Sequence, residues 1–342
     1  MIVVGSMNLD HVARVAHLPA PGATVPATDY RTVAGGKGLN QAVSAARQGA
    51  TTLMVSAVGS DRPGAELLEV LEAEGIDRSR VRIVPDAPTG VALIAVAAGG
   101  ENTVVVAAGA NGTVAPDQLD GFGWRRGDVL VCQLEIPLAT VEVAMRAARE
   151  GGARTLLNPA PATAPLAPSL LALVDVLVPN EGEARTLAGG GLPAGGLPAG
   201  GSVAGWSAAG GPAAGGSAAG RSAAGGSAAG GSATDAGRAL AARSGGVVIV
   251  TLGAQGSLWC TASAGPVRVP APAVRAVDTT GAGDAYCGAL AAALAGGADL
   301  RSAVRRASVA GSLATTRHGA VPSIPTAGEV DDVLAGGGDG AG

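Results

Sequence analysis

The chain has 342 residues, 47% of them hydrophobic but only 2% aromatic, and a formal net charge of −4. That length holds one large core, or a core with a small appendage, built from Ala, Val and Leu rather than from rings. The weak negative charge, with no basic run and no basic patch interleaved with aromatics, excludes a nucleic-acid surface, and no apolar stretch approaches the roughly 20 residues of a membrane span.

Taken in chain order, short β-branched runs alternate with Ala-rich amphipathic stretches. A strand is predicted at 2–5, then two strands without an intervening helix at 12–15 and 28–33. A helix at 38–48, a strand at 52–57 and a helix at 64–74 follow. A second helix-free pair, 91–97 and 103–107, is joined by Ala98-Gly99-Gly100-Glu101-Asn102, a hairpin-like connection. Then come a strand at 128–134, a helix at 138–150 and strands at 155–158 and 174–178. Residues 188–232 are Ala/Gly/Ser repeats without apolar periodicity, read as a flexible surface insertion. A helix at 234–244, a strand at 247–251, the end of a strand or an extended segment at 274–277 and helices at 282–295 and 300–316 complete the pattern. A tail at 335–342 is expected to be disordered. Strand-helix alternation predicts an α/β core with a mostly parallel sheet covered on both faces. The strand pairs at about 11–33 and 89–108 predict a small separate sheet, a natural lid. The whole of 1–334 is read as one domain.

Cys132, Cys260 and Cys287 form neither a metal-binding spacing nor a disulfide framework, so thiols in a reducing compartment are expected. The N-terminus lacks a basic n-region and a cleavable apolar segment, so a cytoplasmic location is expected. Lys37 is the sole lysine among 23 basic residues.

Five motifs fall where strands end or helices begin. Gly5-Ser6-Met7-Asn8-Leu9-Asp10 puts a carboxylate just past the first strand, toward the crevice that parallel sheets offer to ligands. A solvated loop carboxylate is the other reading. Gly35-Gly36-Lys37-Gly38 opens the helix bearing Asn40, whose amide both donates and accepts. Its glycines serve either a hinge or close approach to a polyhydroxyl ligand, and it is not a P-loop, since Gly-x-x-x-x-Gly-Lys-Ser/Thr is absent. Asn180-Glu181-Gly182-Glu183 suits a hydrated Mg2+ with phosphate oxygens, or an Asn N-cap with acidic residues in the first turn. The two are compatible. Thr251-Leu252-Gly253-Ala254-Gln255-Gly256 is a turn that nucleotide phosphates can approach. In Asp278-Thr279-Thr280-Gly281-Ala282-Gly283-Asp284, two glycines permit a tight turn and the following helix adds unpaired N–H donors. Read as chemistry, this is a phosphoryl pocket with Asp284 placed to deprotonate an attacking hydroxyl. Read as architecture, it is a glycine turn with an acid in the first helical turn, and the motif alone does not separate the two.

Together and in this order, these segments resemble the ribokinase branch of the PfkB carbohydrate kinase family. The resemblance rests on Gly-Gly-Lys-Gly-x-Asn-Gln-Ala, Asn158-Pro159-Ala160-Pro161, Pro179-Asn180-Glu181-x-Glu183, Thr-x-Gly-x-x-Gly and Asp-Thr-Thr-Gly-Ala-Gly-Asp. It spans nearly everything but the insertion and the tail. It implies a ribokinase-like α/β fold whose β lid also forms a homodimer interface. It also implies transfer of phosphate from ATP to the 5-hydroxyl of D-ribose, with Asp284 as base and Gly281, Ala282 and Gly283 as the anion hole. The sugar-contacting positions correspond to Asn8, Asp10, Gly36, Lys37, Asn40, Glu135 and Asp284. Those for nucleotide and its Mg2+ correspond to Asn180, Glu183, Thr251, Gly253, Gly256, Gly283 and Ser308. Ser308 stands near where the family often places Asn or His against the adenine. A monovalent cation, K+, is implied at Asp278, Thr280, Ala314, Arg317, Gly319 and Ser323. Two other functions stay open: the same chemistry on another sugar or a nucleoside, and a non-catalytic sugar- or nucleotide-sensing protein on the same fold. Lys37 either reaches a phosphate or is merely tolerated between glycines.

Overall fold

A computed structural model describes residues 1–189 and 232–336. Nearly all of the predicted insertion, and the tail beyond residue 336, lie outside the described residues.

The strands and helices follow in the order β1 (Ile2–Val4), β2 (Asn8–Val15), β3 (Ala27–Gly35), α1 (Lys37–Arg47), β4 (Leu53–Gly59), α2 (Arg62–Ala73), β5 (Asp77–Val84), β6 (Gly90–Ala97), β7 (Asn102–Ala107), β8 (Val129–Cys132), α3 (Leu138–Glu150), β9 (Arg154–Leu157), α4 (Pro168–Leu171), β10 (Val176–Leu177), α5 (Glu181–Leu187), α6 (Ala233–Ser244), β11 (Val247–Thr251), β12 (Ser257–Cys260), β13 (Val267–Val269), α7 (Ala282–Ala295), α8 (Leu300–Ala314) and α9 (Ala327–Gly336). Nine strands form one sheet in the order β13-β12-β11-β10-β9-β8-β1-β4-β5. It is parallel except for the antiparallel β11-β12-β13 edge. The chain starts at β1, an interior strand third from one edge, runs outward through β4 and β5, and returns on the other side at β8. That reversal opens a crevice at the strands' C-terminal ends.

Alternation along the strands feeds two cores. Ile2 and Val4 face one side, with Leu130, Leu157 and Val250, under Val141 and Met145 of α3 and Leu240 of α6. Val3 faces the other, with Val131, Leu156 and Ile249, under Leu39 of α1, Leu71 of α2 and Leu290 of α7. Each such buried side chain contributes about 1.5–3 kcal/mol, and Ala, Val, Leu and Met do nearly all of it.

The remaining four strands form a second sheet, β3-β2-β6-β7. This is the predicted lid, and the expected hairpin links β6 to β7. β2 is longer than predicted, running from Asn8 to Val15. Asp10 therefore lies within a lid strand and not in the loop after β1, because β1 ends early at Val4. Four other expectations are corrected. Residues 274–277 form no strand, and the strand predicted at 174–178 is only Val176–Leu177. α8 ends at Ala314 rather than 316, and α9 continues through Gly336, so the first residues of the predicted tail are helical.

Candidate active site

All five motifs lie beside the crevice. The segment after β1 and the lid strand β2 come first, then the start of α1, the loops after β8 and β9, the start of α5, the turn after β11, and the start of α7.

Asp284 is in the first turn of α7 and is buried. Its Oδ2 accepts from Asn40 Nδ2 at 2.9 Å, and its Oδ1 accepts from Gln41 Nε2 at 2.9 Å. Each carboxylate oxygen keeps a second lone pair free. Gln41 cannot swing away. Its Nε2 also donates to Asn158 Oδ1 at 3.0 Å, and its Oε1 accepts from Gln133 Nε2 at 2.7 Å. Asn158 Nδ2 is in turn anchored on the Val178 carbonyl. The amide set therefore fixes the Asp284 carboxylate from three neighbouring strand ends.

α7 meets α1 at glycine distance. A Cβ at Gly288 would lie 2.4 Å from Ser44 Cβ and 2.5 Å from the Gln41 carbonyl oxygen. Only glycine lets α1 approach closely enough for Asn40 and Gln41 to reach Asp284. At the other end, Gly281 caps α7 with φ 75, ψ −1, the left-handed region, and its absent side chain leaves room for Ala320 at 3.1 Å. The following amides of Gly283 and Asp284 lie in the first helical turn, where no acceptor within the helix exists. They form a ready-made anion site.

The sugar-side candidates converge on Asp284. Asp10, from β2, is buried with an unpartnered Oδ1, and Asn40 Oδ1 is unpartnered too. Burial, with Glu135 and Asp284 close by, pushes the Asp10 carboxyl up to about 7, and Lys37 pulls the other way. Glu135 accepts from Ser6 Oγ at 2.5 Å and from the Lys37 amide at 3.1 Å, tying the loop after β8 to the start of α1. Gly36 precedes it at φ 87. Burial works against the charge on Lys37, but Asp284, Glu135 and Glu183 outweigh it and hold its ammonium pKa up. Asn8 is placed less directly, since its Oδ1 is engaged by Asn111 Nδ2 at 2.7 Å. Asn111 also clasps the backbone of Met7 through both its amide atoms.

Asn180 and Glu183 form a reciprocal capping box at the start of α5, each side chain bonded to the other's backbone N–H at 2.8 Å. Burial, the first of the effects on Glu183, raises its carboxyl against the pull of the Asn180 amide and Lys37, while Asp284 adds to the rise. The capping box and the proximity to Lys37 and Asp284 hold together. Among the described residues no cluster of three or more His, Cys, Asp or Glu could hold a metal. A cation here would thus depend on phosphate oxygens and water, as Mg2+ does with nucleotides.

Beside the anion site lies a cavity of about 230 Å³ whose lining includes Thr251, Gly253, Gly256, Gly283, Tyr286 and Ser308. Every predicted nucleotide position except the α5 pair borders it. Ser308 Oγ is buried without a partner. Of the predicted K+ positions, Asp278, Thr280 and Gly319 come together: Asp278 accepts from the Thr280 and Gly319 amides at 3.0 Å each. Burial works to raise the Asp278 carboxyl, but those amides and His318 outweigh it and hold it below the usual range. The Arg317 side chain instead pairs with Glu329, and Ser323 Oγ donates to the Ala320 carbonyl. Ala314 is buried in the last turn of α8. Sequence reasoning missed Gln41, Gln133, Ser6 and Asn111. Gln133, a glutamine closing the apolar run Val-Leu-Val-Cys, was the one with a visible signal.

A family profile described as pfkB family carbohydrate kinase matches residues 1–196 and 224–327. The ribokinase of Haemophilus influenzae is 34% identical over 336 residues, covering 98% of each chain. The deoxyribokinase of Salmonella typhi is 31% identical, covering 97% of this chain and 98% of its own. An Arabidopsis thaliana ribokinase structure, complexed with ribose and ATP, superposes with a TM-score of 0.76 at 28% identity over 97% of each chain.

Proposed function

The chain belongs to the pfkB family of carbohydrate kinases, and on that premise we propose that it transfers the γ-phosphoryl group of ATP to the 5-hydroxyl of D-ribose. The observation that carries this reading is the buried Asp284 carboxylate, held by Asn40 and Gln41 one residue past the anion-binding turn. The names of the relatives above favour ribose and ATP as the pair.

In this mechanism the free lone pair of Asp284 accepts the proton of the sugar's 5-hydroxyl as its oxygen attacks the γ-phosphorus. Asp10, Asn40 and Glu135 orient the sugar, and the unpartnered oxygens of Asp10 and Asn40 are acceptors for its hydroxyls. The amides of Gly283 and Asp284 are the donors for the developing negative charge, where fixed donors act most strongly, while the Ala282 amide is turned to the Thr279 carbonyl. Lys37, its charge upheld by three carboxylates, adds a positive charge on the lid side. ATP lies along the cavity between the turn after β11 and α7–α8, with Ser308 at its wall. Asn180 and Glu183 would hold the Mg2+ that accompanies ATP, which neutralises phosphate charge when bound.

The Asp278 carboxylate, held ionised by the Gly319 and Thr280 amides, supplies the negative charge a monovalent cation needs, and K+ beside it would steady the turn. The lid supplies a second contact surface. Strand register puts Tyr30, Leu93 and Val105 on its outer face, each more than half exposed. Among possible partners a second copy of this chain fits it best, giving a homodimer through the lid. Three free, buried thiols accord with a cytoplasmic enzyme.

The test is ADP release with D-ribose, 2-deoxyribose, fructose and nucleosides, each with and without K+. D-Ribose giving the highest kcat/KM, raised by K+, is the expected result. A better nucleoside or deoxyribose would move the substrate, and no turnover on any of them would remove the enzyme reading.

A further inference from the structure

The lid carries more than sugar ligands. Register pairs Asp10 with Val33, Val12 with Arg31 and Arg14 with Asp29. Asp10, Val12, Arg14, Arg31 and Val33 therefore project from one face of β2 and β3, and that face looks at the core. With Asp278, Thr280 and Gly319 these side chains enclose a cavity of only about 20 Å³, roughly one water's room. Arg31 Nη2 stands 3.7 Å from Asp278 Oδ2. Arg14 Nη2 donates to His318 Nδ1 at 2.9 Å, and that ring nitrogen is itself 3.7 Å from Asp278 Oδ2.

Asp278 is the clamp of the anion-binding turn. Its two oxygens hold the amides of Thr280, one residue before Gly281, and Gly319, one residue before the Ala320 that packs on Gly281. Arg31 Nε is buried without an acceptor. An unpaired buried donor costs stability, so packing of the lid does not by itself account for an arginine at this place.

We propose that Arg31, supported by Arg14, is a positioning residue that couples the lid's grip on the sugar to the setting of the anion-binding turn. A paired sheet moves as one body, so Asp10 and Arg31, two residue positions apart on the same face, dock together. Sugar held by Asp10 keeps Arg31 against Asp278, and Asp278 then keeps the turn in its phosphoryl-receiving shape. The coupling is reciprocal, so nucleotide in the turn tightens sugar binding by the same factor. This inference rests on the reading of the site as a sugar kinase centre.

Two measurements decide it. Calorimetric affinity for Mg·ADP is compared with and without saturating D-ribose in wild type, R31Q and R31K. Ribose is expected to tighten ADP about fivefold or more in wild type, the ratio falling toward one in R31Q and being partly kept in R31K, while ADP affinity without sugar changes less than about twofold. Hydrogen exchange of ligand-free protein is the second measurement. The amides of 278–283 and 317–320 are expected to exchange faster in R31Q. An unchanged coupling ratio in R31Q, or unchanged exchange in those segments, overturns the proposal. Wild type that binds no D-ribose sinks the substrate reading instead, and the exchange comparison still decides the role of Arg31.

Discussion

Asp10 shows how a single carboxylate can make this site sensitive to pH. Its folded pKa is raised to about 7 by burial first, then by Glu135 and Asp284, against an ordinary value near 4. The folded protein thus binds a proton that the unfolded chain releases, so this group's contribution to stability falls as pH rises from about 4 to 7, then levels off. In the proposed site, sugar hydroxyls donate best to the ionised form of Asp10. The sugar dissociation constant is therefore expected to rise about fivefold from pH 7 to pH 6, and Asp10→Asn should bind more weakly with a flat profile. Calorimetry at both pH values checks this, and an equally steep profile in the variant would refute it. Asp10 was legible in the sequence as a carboxylate near the crevice, but not as a lid residue, because only three residues separate strand β1 from β2. Asn40 and Asp284 were legible from their motifs. Gln133 was visible only as a polar end to an apolar run, and Asn111 not at all, because their partners lie 92 and 103–104 residues away in the chain, and only the folded sheet brings those ends together.

At the scale of elements, the contact of α1 with α7 decides whether the site assembles. Alanine at Gly288 gains helix propensity worth about 1 kcal/mol. Its Cβ would nonetheless fall 2.4–2.6 Å from Ser44 and the Gln41 carbonyl, and overpacking of that kind costs about 1–3 kcal/mol. The clash is expected to win. Gly288→Ala should melt a few degrees lower and lose about tenfold in kcat, because α1 carries both donors to Asp284. A wild-type melting temperature with undiminished kcat would count against the helix contact as the organiser. Elements with strong periodicity, such as α1, α3 and the strand pairs of the lid, were readable before folding. β5 was not: Asp-Arg-Ser-Arg-Val-Arg-Ile-Val carries charges on what proved to be a sheet edge, where charge guards against further pairing. Residues 274–277 misled in the opposite sense. Their valines look like a strand, yet Val274 and Val277 are exposed and the segment pairs with no sheet.

The whole molecule is a core that carries the anion-binding turn and the cavity beside it, and a lid that brings Asp10. The α/β architecture was legible because its alternation is local; that the lid closes onto the anion turn was not, since Arg31 and Asp278 are far apart in sequence. The lid's outer apolar face gives a molecular-scale prediction. Wild type should sediment as a dimer and Leu93→Asp as a monomer, whereas a wild-type monomer would contradict the lid as a self-association surface. The insertion falls where the family match itself breaks, between residues 196 and 224. In the proposed reaction a fixed Asp284 carboxylate removes the sugar's proton during phosphoryl transfer. ADP release on D-ribose for wild type against Asp284→Asn, with ribose affinity measured beside it, isolates that role. A loss of about a thousandfold in kcat with ribose affinity held within about threefold is expected; turnover near wild type would take the role of base away from Asp284.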